Sequence, residues 1–552
     1  MEGLIGLEWA MKRNFRHLLS ILILLFCGLF GWWVVRDLKK TEAQHPSSGH
    51  VQGGAAVSRR APELSGSRPV RDEFQDGTTV EMFGSLTPGE VILRFPSDDS
   101  YAKLLGSLRS SPVRLVDQLD PLKAVRLRYD DWADFSDLLA GEEIIAYEAL
   151  PKVVPTPNHL GLPRQEGVVG FDDGLLSWLG VTADHSSWGA GVKVAVLDTG
   201  VVPVAALPGV SRSIAITPFP SDLAKTHGHG TAVASLIASN DPAAPGVAPA
   251  AEIISIRVGD ESGQADSFAL AAGILAAVEA GAQIINISMG THEDNPLIQE
   301  AVRYADARGV VIVAASGNSE QADASYPAAY PSVISVGAVD ARGEHLDFSN
   351  YGTYLSVTAP GYLINTVWPG DRYASISGTS ASAPIVAGAI AATMSHGSGL
   401  KMTARAAAEI VMKYSNEAGI PGPDSEYGVG IIDLGRIMSR GLPGIVDAAI
   451  THHTLLASER AGQGGVIQVS IQNRGTSPLI NTLLETRTPF GVWQFNATMI
   501  APGGIETFSI PVRLGDLPCG KLIEVSSVLT LGMPVDDISP GNNRRSDVLS
   551  LR

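Results

Sequence analysis

Short, uninterrupted apolar runs occupy the middle of the chain and restrict what it can fold into. Between about 170 and 440 they alternate with helical stretches that end at glycine, such as "SFALAAGILAAVEAG" and "LIQEAVRYADARG". Such runs are typical of parallel strands that helices bury on both faces. The pattern predicts an α/β fold with a doubly wound, mostly parallel sheet, whose ligands bind beyond the carboxyl ends of the strands. The runs are "GVKVAVLD", "AEIISIRV", "AQIINISMG", "GVVIVAAS" and "SVISVGAVD".

The segments on either side of this region follow different patterns. Residues 86–155 carry strand and helix signals in the order β-α-β-β-α-β, which predicts a small ferredoxin-like α+β unit. Residues 443–552 carry only strand signals with turns between them, which predicts a β-sandwich. We interpret 41–85, rich in Ser, Gly, Glu and Arg, as a linker. The main α/β domain then spans 156–442.

The N-terminus contains a candidate membrane segment. Lys12, Arg13 and Arg16 precede Leu18–Val35, a run of 18 residues without a charge. That length is the lower limit for a membrane-spanning helix and is long for the core of a signal peptide. We interpret 1–40 as an uncleaved signal anchor; a cleaved signal peptide and a buried core helix are the alternatives.

Composition restricts the classes of partner. The chain has 40 Lys and Arg against 57 Asp and Glu, a net charge of −17, and it lacks a long basic run, which excludes a typical nucleic-acid-binding protein. The two cysteines, Cys27 and Cys519, are far apart in sequence, so we expect no internal disulfide. The Cys and His spacing does not predict a zinc site.

Three polar residues lie at the end of a predicted strand or at the start of a predicted helix, in an order that suggests nucleophilic catalysis. Asp198 ends the strand of "VKVAVLDTG", His229 opens a helix in "HGHGTAVAS", and Ser380 opens another in "SISGTSASAP". A serine hydroxyl becomes an effective nucleophile when a histidine takes its proton and a carboxylate orients that histidine. His227 lacks a third ligand nearby for a metal pair with His229, so we interpret it as a loop residue.

These blocks carry a resemblance to a known family. "DTG", "HGHGTAVAS" and "GTSASAP" resemble the three signature blocks of the subtilisin-like serine peptidases, and the similarity covers roughly 190–440. It implies a serine endopeptidase that works through an acyl-enzyme, with Asp198, His229 and Ser380 as the triad and Asn318 in the oxyanion hole. The segments "INISMG" and "AASGNS" imply the substrate-binding residues Ser288, Met289, Gly290, Ala315, Ser316 and Gly317.

The resemblance also extends to the flanking segments. The unit 86–155 resembles the inhibitor-type prodomain of the family, which assists folding and blocks the cleft until the chain cuts itself, here within 151–170. The resemblance therefore implies a zymogen whose catalytic domain lies outside the cytoplasm, either anchored in the membrane or secreted after cleavage. The stretch 238–252 is shorter than the family's calcium loop, so we predict neither a calcium site nor another cofactor.

Two other functions would each require a different set of residues. A catalytically silent relative that binds a partner at the cell surface would lack a triad or oxyanion residue, and all of them are present. An esterase of the α/β-hydrolase type needs a Gly-x-Ser-x-Gly elbow and the order Ser, acid, His, and "GTSAS" without a suitable later histidine meets neither condition.

Overall fold

The computed structural model divides the chain into two compact units, Met1–Arg60 and Ala61–Arg552, and every described residue lies in the second. Among the described residues, no helix is both long and apolar enough to cross a bilayer. The predicted anchor, Leu18–Val35, lies outside them. The structure describes residues 70–73, 79–83, 89–139, 144, 146–148, 152–155, 167–218, 228–260, 262–322, 324–396, 402–457, 465–512, 522–532 and 535–549.

A six-stranded sheet and two helices form the N-terminal part of this unit. The strand order is β1-β2-β6-β3-β5-β4. From 90 to 148 the elements follow the order strand, helix, strand, strand, helix, strand. The elements are β1 (Val70–Glu73), β2 (Thr79–Phe83), β3 (Glu90–Arg94), α1 (Asp98–Ser107), β4 (Arg114–Leu119), β5 (Ala124–Arg128), α2 (Trp132–Leu139) and β6 (Ala146–Glu148).

Strands β1 and β2 lie inside the segment 41–85 that we interpreted as a linker. They pair with each other in antiparallel fashion, and β2 continues the sheet by pairing parallel to β6. The missed signal is the alternation of Val80 and Met82 with polar residues in "TTVEM", a pattern typical of strands. The folded N-terminal sheet therefore begins before residue 86.

The central region supplies the elements that surround the candidate site. Its strands are β7 (Lys152–Pro155), β8 (Lys193–Asp198), β9 (Val210–Ala215), β10 (Glu252–Arg257), β11 (Ala265–Asp266), β12 (Ile284–Ile287), β13 (Met289–Gly290), β14 (Val311–Ala315), β15 (Val333–Val339), β16 (Val357–Pro360), β17 (Ile364–Trp368) and β18 (Arg372–Ile376). Its helices are α3 (Leu175–Trp178), α4 (His229–Ala238), α5 (Ser267–Glu279), α6 (Pro296–Asp306), α7 (Thr379–Ser395), α8 (Ala404–Lys413) and α9 (Leu434–Ser439).

Seven of these strands form one parallel sheet in the order β16-β15-β14-β12-β8-β10-β9. The predicted doubly wound α/β fold is thereby confirmed. The five apolar runs correspond to β8, β10, β12, β14 and β15. Two separate cores cover the faces of the sheet, as β8 illustrates: Val194 and Val196 contact the core that contains α4 and α7, whereas Ala195 and Leu197 contact the core of α5 and α6.

The N-terminal sheet packs against the second of these cores. Ile92 of β3 and Ala124 of β5 belong to the same buried cluster as Phe268 of α5 and Leu297 of α6. The neighbouring side chains Val91 and Leu93 lie instead in a separate core, between the N-terminal sheet and its two helices α1 and α2. Because successive side chains of a strand point to opposite faces, the N-terminal sheet buries one face under its own helices and the other on α5 and α6.

The point where the sheet reverses its winding lies at β8. From β8 the chain first passes to β9 at the edge of the sheet and then to β10, which lies between β9 and β8. It then crosses to the other side of β8 and continues with β12. Ligands of doubly wound sheets bind at such a switch point, outside the carboxyl ends of the strands. Here those ends carry Asp198 and, immediately after Ile287, Ser288.

The C-terminal strands form two antiparallel sheets, β19-β20-β23 and β22-β21-β24-β25. Both sheets contribute to one buried core, for example through Ile467 of the first and Leu484 of the second. The strands are β19 (Ala448–Ala457), β20 (Gly465–Asn473), β21 (Leu479–Thr488), β22 (Gly491–Ile500), β23 (Ile505–Val512), β24 (Ile523–Thr530) and β25 (Arg544–Leu549).

A charged network joins these sheets to the α/β region. Arg545 of β25 donates from Nη2 to Glu344 Oε1 at 2.7 Å and from Nε to Asp547 Oδ2 at 2.6 Å. Asp547 Oδ2 also lies 2.9 Å from His453 Nδ1. These contacts hold the pKa of Asp547 below its ordinary value even though burial acts in the opposite direction. The network therefore favours the charged carboxylate at neutral pH.

His452, beside this network, should make the fold sensitive to acid. Burial, with a smaller effect from Arg545, lowers its pKa from 6.5 to about 4. The unfolded chain therefore takes up a proton near pH 6.5 and the folded chain only near pH 4, so this contribution to stability is complete above pH 6.5 and is lost as the pH falls toward 4. We expect the contribution of His452 to the free energy of unfolding in urea to fall by on the order of 2 kcal/mol across that interval.

The variant His452→Gln should flatten this dependence, because glutamine does not titrate. His396→Gln, at an exposed position after α7, is the control and should retain the wild-type slope. Equal slopes for the wild type and His452→Gln would contradict the assignment.

Candidate active site

Asp198 lies at the carboxyl end of β8 and is fully buried. Its Oδ1 accepts a hydrogen bond from the backbone N–H of Thr199 at 2.7 Å and lies 2.7 Å from His229 Nδ1. A carboxylate only accepts hydrogen bonds, so His229 Nδ1 carries the proton and Nε2 is left as the basic nitrogen of the neutral ring. Asp198 thus fixes both the orientation and the tautomer of the imidazole.

His229 is the first residue of α4 and is also fully buried. The backbone N–H of Gly230 donates to Thr199 Oγ1 at 3.1 Å, which ties the start of the helix to the loop after β8. A Cβ at Gly230 would lie 2.5 Å from the carbonyl oxygen of Gly200. Glycine after His229 therefore lets α4 approach the Asp198 loop closely enough for the two side chains to meet.

Ser380 lies in the first turn of α7, the longest helix of the central region. Its Oγ donates to the carbonyl oxygen of Ser288 at 3.3 Å, and Ser288 Oγ donates to the Ser380 carbonyl at 3.1 Å. This reciprocal pair joins the start of α7 to the segment between β12 and β13. The first N–H groups of a helix have no partner within the helix, so the Ser380 N–H is suited to bind a developing negative charge.

Asn318 follows β14 in a loop that contacts the start of α7. Its Oδ1 accepts hydrogen bonds from the Thr379 N–H at 2.9 Å and from Thr379 Oγ1 at 2.8 Å. Both of these contacts fix the amide oxygen, so the amide nitrogen Nδ2 lies on the other side, beside Gly378. A Cβ at Gly378 would lie 2.6 Å from this nitrogen, and Gly378 has φ +133°, a conformation that favours glycine.

The segment 288–290 contains β13, an edge strand of a short three-stranded sheet. Here β7 lies between β11 and β13 and is antiparallel to both. Pro155 pairs with Met289, and Val154 pairs with Gly290. Because Met289 follows Ser288 directly, the C-terminal end of β7 lies beside the segment that contacts Ser380.

The other predicted substrate-binding residues lie where β14 ends. Ala315 is the last residue of β14, and the Ser316 N–H donates to the Val336 carbonyl at 3.0 Å. The Gly317 N–H donates to Thr379 Oγ1 at 3.2 Å. The structure therefore brings this segment to the start of α7, next to Asn318.

Comparison with known proteins finds one family over the region that carries these residues. The Subtilase family matches residues 189–430. Subtilisin Savinase of Lederbergia lenta is 40% identical over 205 residues, which are 37% of this chain and 76% of the relative. Subtilisin DY of Bacillus licheniformis is 36% identical over 252 residues, 45% of this chain and 90% of the relative. A thermostable alkaline protease of Halalkalibacterium halodurans is 35% identical over 253 residues, 45% and 68% of the two chains.

The chain belongs to the subtilase family. It is a subtilisin-like serine endopeptidase, a hydrolase whose substrates are proteins or peptides. The resemblance found in the sequence is confirmed. The predicted loop residue His227 lies outside the described residues. In the part of this subtilase that the structure describes, no group of three or more His, Cys, Asp or Glu side chains could hold a metal ion.

Two residues of this subtilase site were missed in the sequence. Thr379 donates to Asn318 Oδ1, and its position before the predicted nucleophile Ser380 in "GTS" was the available signal. Arg257 is fully buried beneath the Asp198 loop, where it donates from Nε to the Pro218 carbonyl at 3.1 Å and contacts the Thr199 carbonyl. Its position at the end of a mostly apolar strand signalled a buried charge, but only the fold identifies the carbonyl groups that it contacts.

The variant Thr379→Val should reduce kcat about tenfold with little effect on KM. Valine keeps the branched shape but loses the hydroxyl that donates to Asn318 Oδ1 and accepts from Gly317. Thr379→Ser, which restores the hydroxyl, should recover most of the activity. Steady-state kinetics with a chromogenic peptide measure the effect, and an unchanged kcat for Thr379→Val would contradict the orienting role.

Proposed function

We propose that this endopeptidase cleaves peptide bonds with Asp198, His229 and Ser380 as its triad. The observation that carries the proposal is the buried contact of 2.7 Å between Asp198 and His229. It lies at the switch point of the sheet, where Ser380 also meets the segment 288–290. The alternative of a catalytically silent binding protein is not favoured by any residue of this arrangement.

In the proposed mechanism Ser380 Oγ attacks the scissile carbonyl while His229 Nε2 takes its proton. His229 then returns the proton to the leaving amine, and an acyl-enzyme remains on Ser380. A water molecule, deprotonated by the same nitrogen, releases the second product. The Asn318 amide and the Ser380 N–H bind the oxyanion in both steps. Asp198 keeps Nδ1 protonated throughout, which leaves Nε2 available as the base.

Covalent labelling tests the assignment of the nucleophile. A peptidyl phosphonate ester should react with the processed enzyme at one site, and mass spectrometry of the digested protein should find the adduct on Ser380. The neighbouring Ser382 is a control within the same helix, because its hydroxyl already donates to the carbonyl of Pro360 at 3.0 Å. An adduct on another serine, or none in an enzyme that hydrolyses peptides, would refute the assignment.

We further propose that the enzyme is made as a zymogen. The prodomain spans 86–155, together with the hairpin β1–β2, and the catalytic domain spans 156–442. The proposal is supported by β7, which occupies the strand position between β11 and β13 with its C-terminal end beside Met289. It is also supported by the packing of the N-terminal sheet on α5 and α6. Bound in this way, the prodomain acts as a competitive inhibitor and supports the folding of the catalytic domain.

N-terminal sequencing of the mature enzyme tests this proposal. We expect a mature N-terminus within 156–166, because Pro155 at the end of β7 pairs with Met289, the residue after the Ser288 that contacts Ser380. The N-terminal fragment should remain bound after cleavage and should inhibit in proportion to its concentration. A mature N-terminus upstream of Lys152 would refute the proposed role of β7.

We also propose that the enzyme acts outside the cytoplasm, either anchored through 1–40 or secreted after processing. Fractionation of cells that produce the chain, with the mature fragment detected by immunoblot, distinguishes the two locations. Mature enzyme confined to the cytoplasm would contradict both.

For 443–552 we propose a β-sandwich domain appended to the catalytic domain. The proposal is supported by the two antiparallel sheets of this segment, which share one core.

A further inference from the structure

Asp266 lies at the edge of the proposed substrate cleft and makes two different contacts. Its Oδ1 accepts a hydrogen bond from the Ala269 N–H at 2.7 Å and so caps the start of α5. Its Oδ2 lies 3.0 Å from Nη1 of Arg126, a residue of β5 in the N-terminal sheet. The cap is local to the catalytic domain, whereas the ion pair belongs to the contact with the proposed prodomain.

The register of β7 places Asp266 directly beside the strand that fills the cleft. Asp266 pairs with Lys152 on one side of β7, and Met289 pairs with Pro155 on the other. Directly opposite residues of antiparallel strands carry their side chains on the same face, about 5 Å apart at Cβ. A substrate strand that replaces β7 in this register therefore places one side chain against the Asp266 carboxylate.

Departure of the prodomain changes the charge at this position. Arg126 bridges Asp266 and Glu90, and all three side chains are largely covered, with 23%, 21% and 13% exposed. Arg126 and Glu90 both lie in the N-terminal sheet, so both leave when the proposed prodomain dissociates. Asp266 stays, held by its bond to Ala269, and becomes a carboxylate without its cation next to the cleft.

We infer that Asp266 is a specificity-determining residue of the mature enzyme and favours a lysine or arginine at the substrate position opposite it. In the register of β7 this is the position of Lys152, three residues before the residue that pairs with Met289. In the precursor, Arg126 forms an ion pair with the Asp266 carboxylate. In the mature enzyme, the basic side chain of the substrate takes the place of Arg126. The inference rests on the proposed function, in which substrates add to β11 and β13 as β7 does.

A positional scan with the processed enzyme tests this. Each peptide of the set is uncharged near the scissile bond and carries one lysine, moved through successive positions upstream of the cut, or norleucine at the same place. We expect a single position at which lysine raises kcat/KM about threefold to fivefold, the size of a solvent-exposed ion pair. The preference should shrink in about 0.5 M salt because the pair is screened.

Two variants separate this role from a structural one. Asp266→Asn keeps the oxygen that caps α5 and removes the charge, so the ratio of kcat/KM for the lysine peptide to that for the norleucine peptide, both measured in this variant, should fall to about one at every position. Glu300→Gln is the matched control: it removes another carboxylate from the same interface, one that lies 3.7 Å from Arg94, and should keep the preference. The wild-type scan and its salt dependence test the inference even if a variant fails to mature.

The outcomes are distinct. Equal kcat/KM for lysine and norleucine at every position, in an enzyme that cleaves both, overturns the inference and leaves the proposed function intact. A lysine preference that survives in Asp266→Asn also overturns it. Absence of turnover on every peptide overturns the proposed function and this inference with it.

Discussion

Replacing Ser380 with alanine should lower kcat by about 10⁶, the loss found when the nucleophile of the related enzyme subtilisin is removed. The same substitution should leave the precursor at full length, because the chain would lack the group that cuts after β7. Ser380 Oγ donates to the Ser288 carbonyl in the resting structure, so its loss removes one hydrogen bond and should cost about 1 kcal/mol of stability. Immunoblots of wild type and variant, together with peptide hydrolysis by each, measure both effects.

Ser382→Ala is the control for this experiment. The residue lies two positions further along α7, is fully buried, and donates to the carbonyl of Pro360. Its removal should cost about 1 kcal/mol of stability and leave processing and kcat within a few-fold of the wild type. A Ser380→Ala chain that still produced the mature fragment in the absence of any other protease would refute self-processing.

Replacing Asp198 with asparagine should lower kcat by about 10⁴ near neutral pH. Asparagine has nearly the same shape, so the backbone around Thr199 should keep its place. Its amide group, however, allows the imidazole to take the opposite tautomer, with the proton on Nε2, where it can no longer accept the proton of Ser380. Kinetics normalised by active-site titration measure this loss, and thermal unfolding checks that the fold is retained.

Asp241→Asn tests whether loss of a carboxylate elsewhere in the central region has the same effect. Asp241 accepts a hydrogen bond from the Tyr373 hydroxyl at 2.7 Å at the surface and does not contact the imidazole. We expect its kcat to stay within twofold of the wild type. A loss of less than tenfold in Asp198→Asn would contradict the role given to the carboxylate.

The sheet was predictable where burial on both faces leaves a plain signal in the sequence. The runs of β8, β10, β12, β14 and β15 are almost wholly apolar and were recognised. Strand β9 was not, because at the edge of the sheet it is polar and mostly exposed along "VSRSIA". Strand β16 has only four residues and ends at Pro360, too little for a pattern.

The candidate site was predictable to the extent that its chemistry requires particular residue types. A serine nucleophile needs a base and an orienting carboxylate. The sequence offers both, because Asp198 ends one predicted strand and His229 opens a predicted helix. The support of Asn318 by Thr379 depends on a contact between two loops that are far apart in sequence. The position of β7 between β11 and β13 depends in the same way on the packing of the N-terminal sheet on α5 and α6, which local sequence patterns do not encode.

In the proposed binding mode, a substrate strand takes the place of β7, and this has a consequence for the state in which the substrate must arrive. Strands β11 and β13 are two residues long and lie on opposite sides of the cleft, so a chain between them must offer N–H and C=O groups to both neighbours at once. A helix has already used these groups internally, and a central strand of a sheet has used them on both edges. Only a segment that can leave its own secondary structure is able to enter, so a well-folded protein is resistant except at its loops and ends. We therefore expect the rate of cleavage to depend first on the local stability of the substrate segment and only then on its side chains.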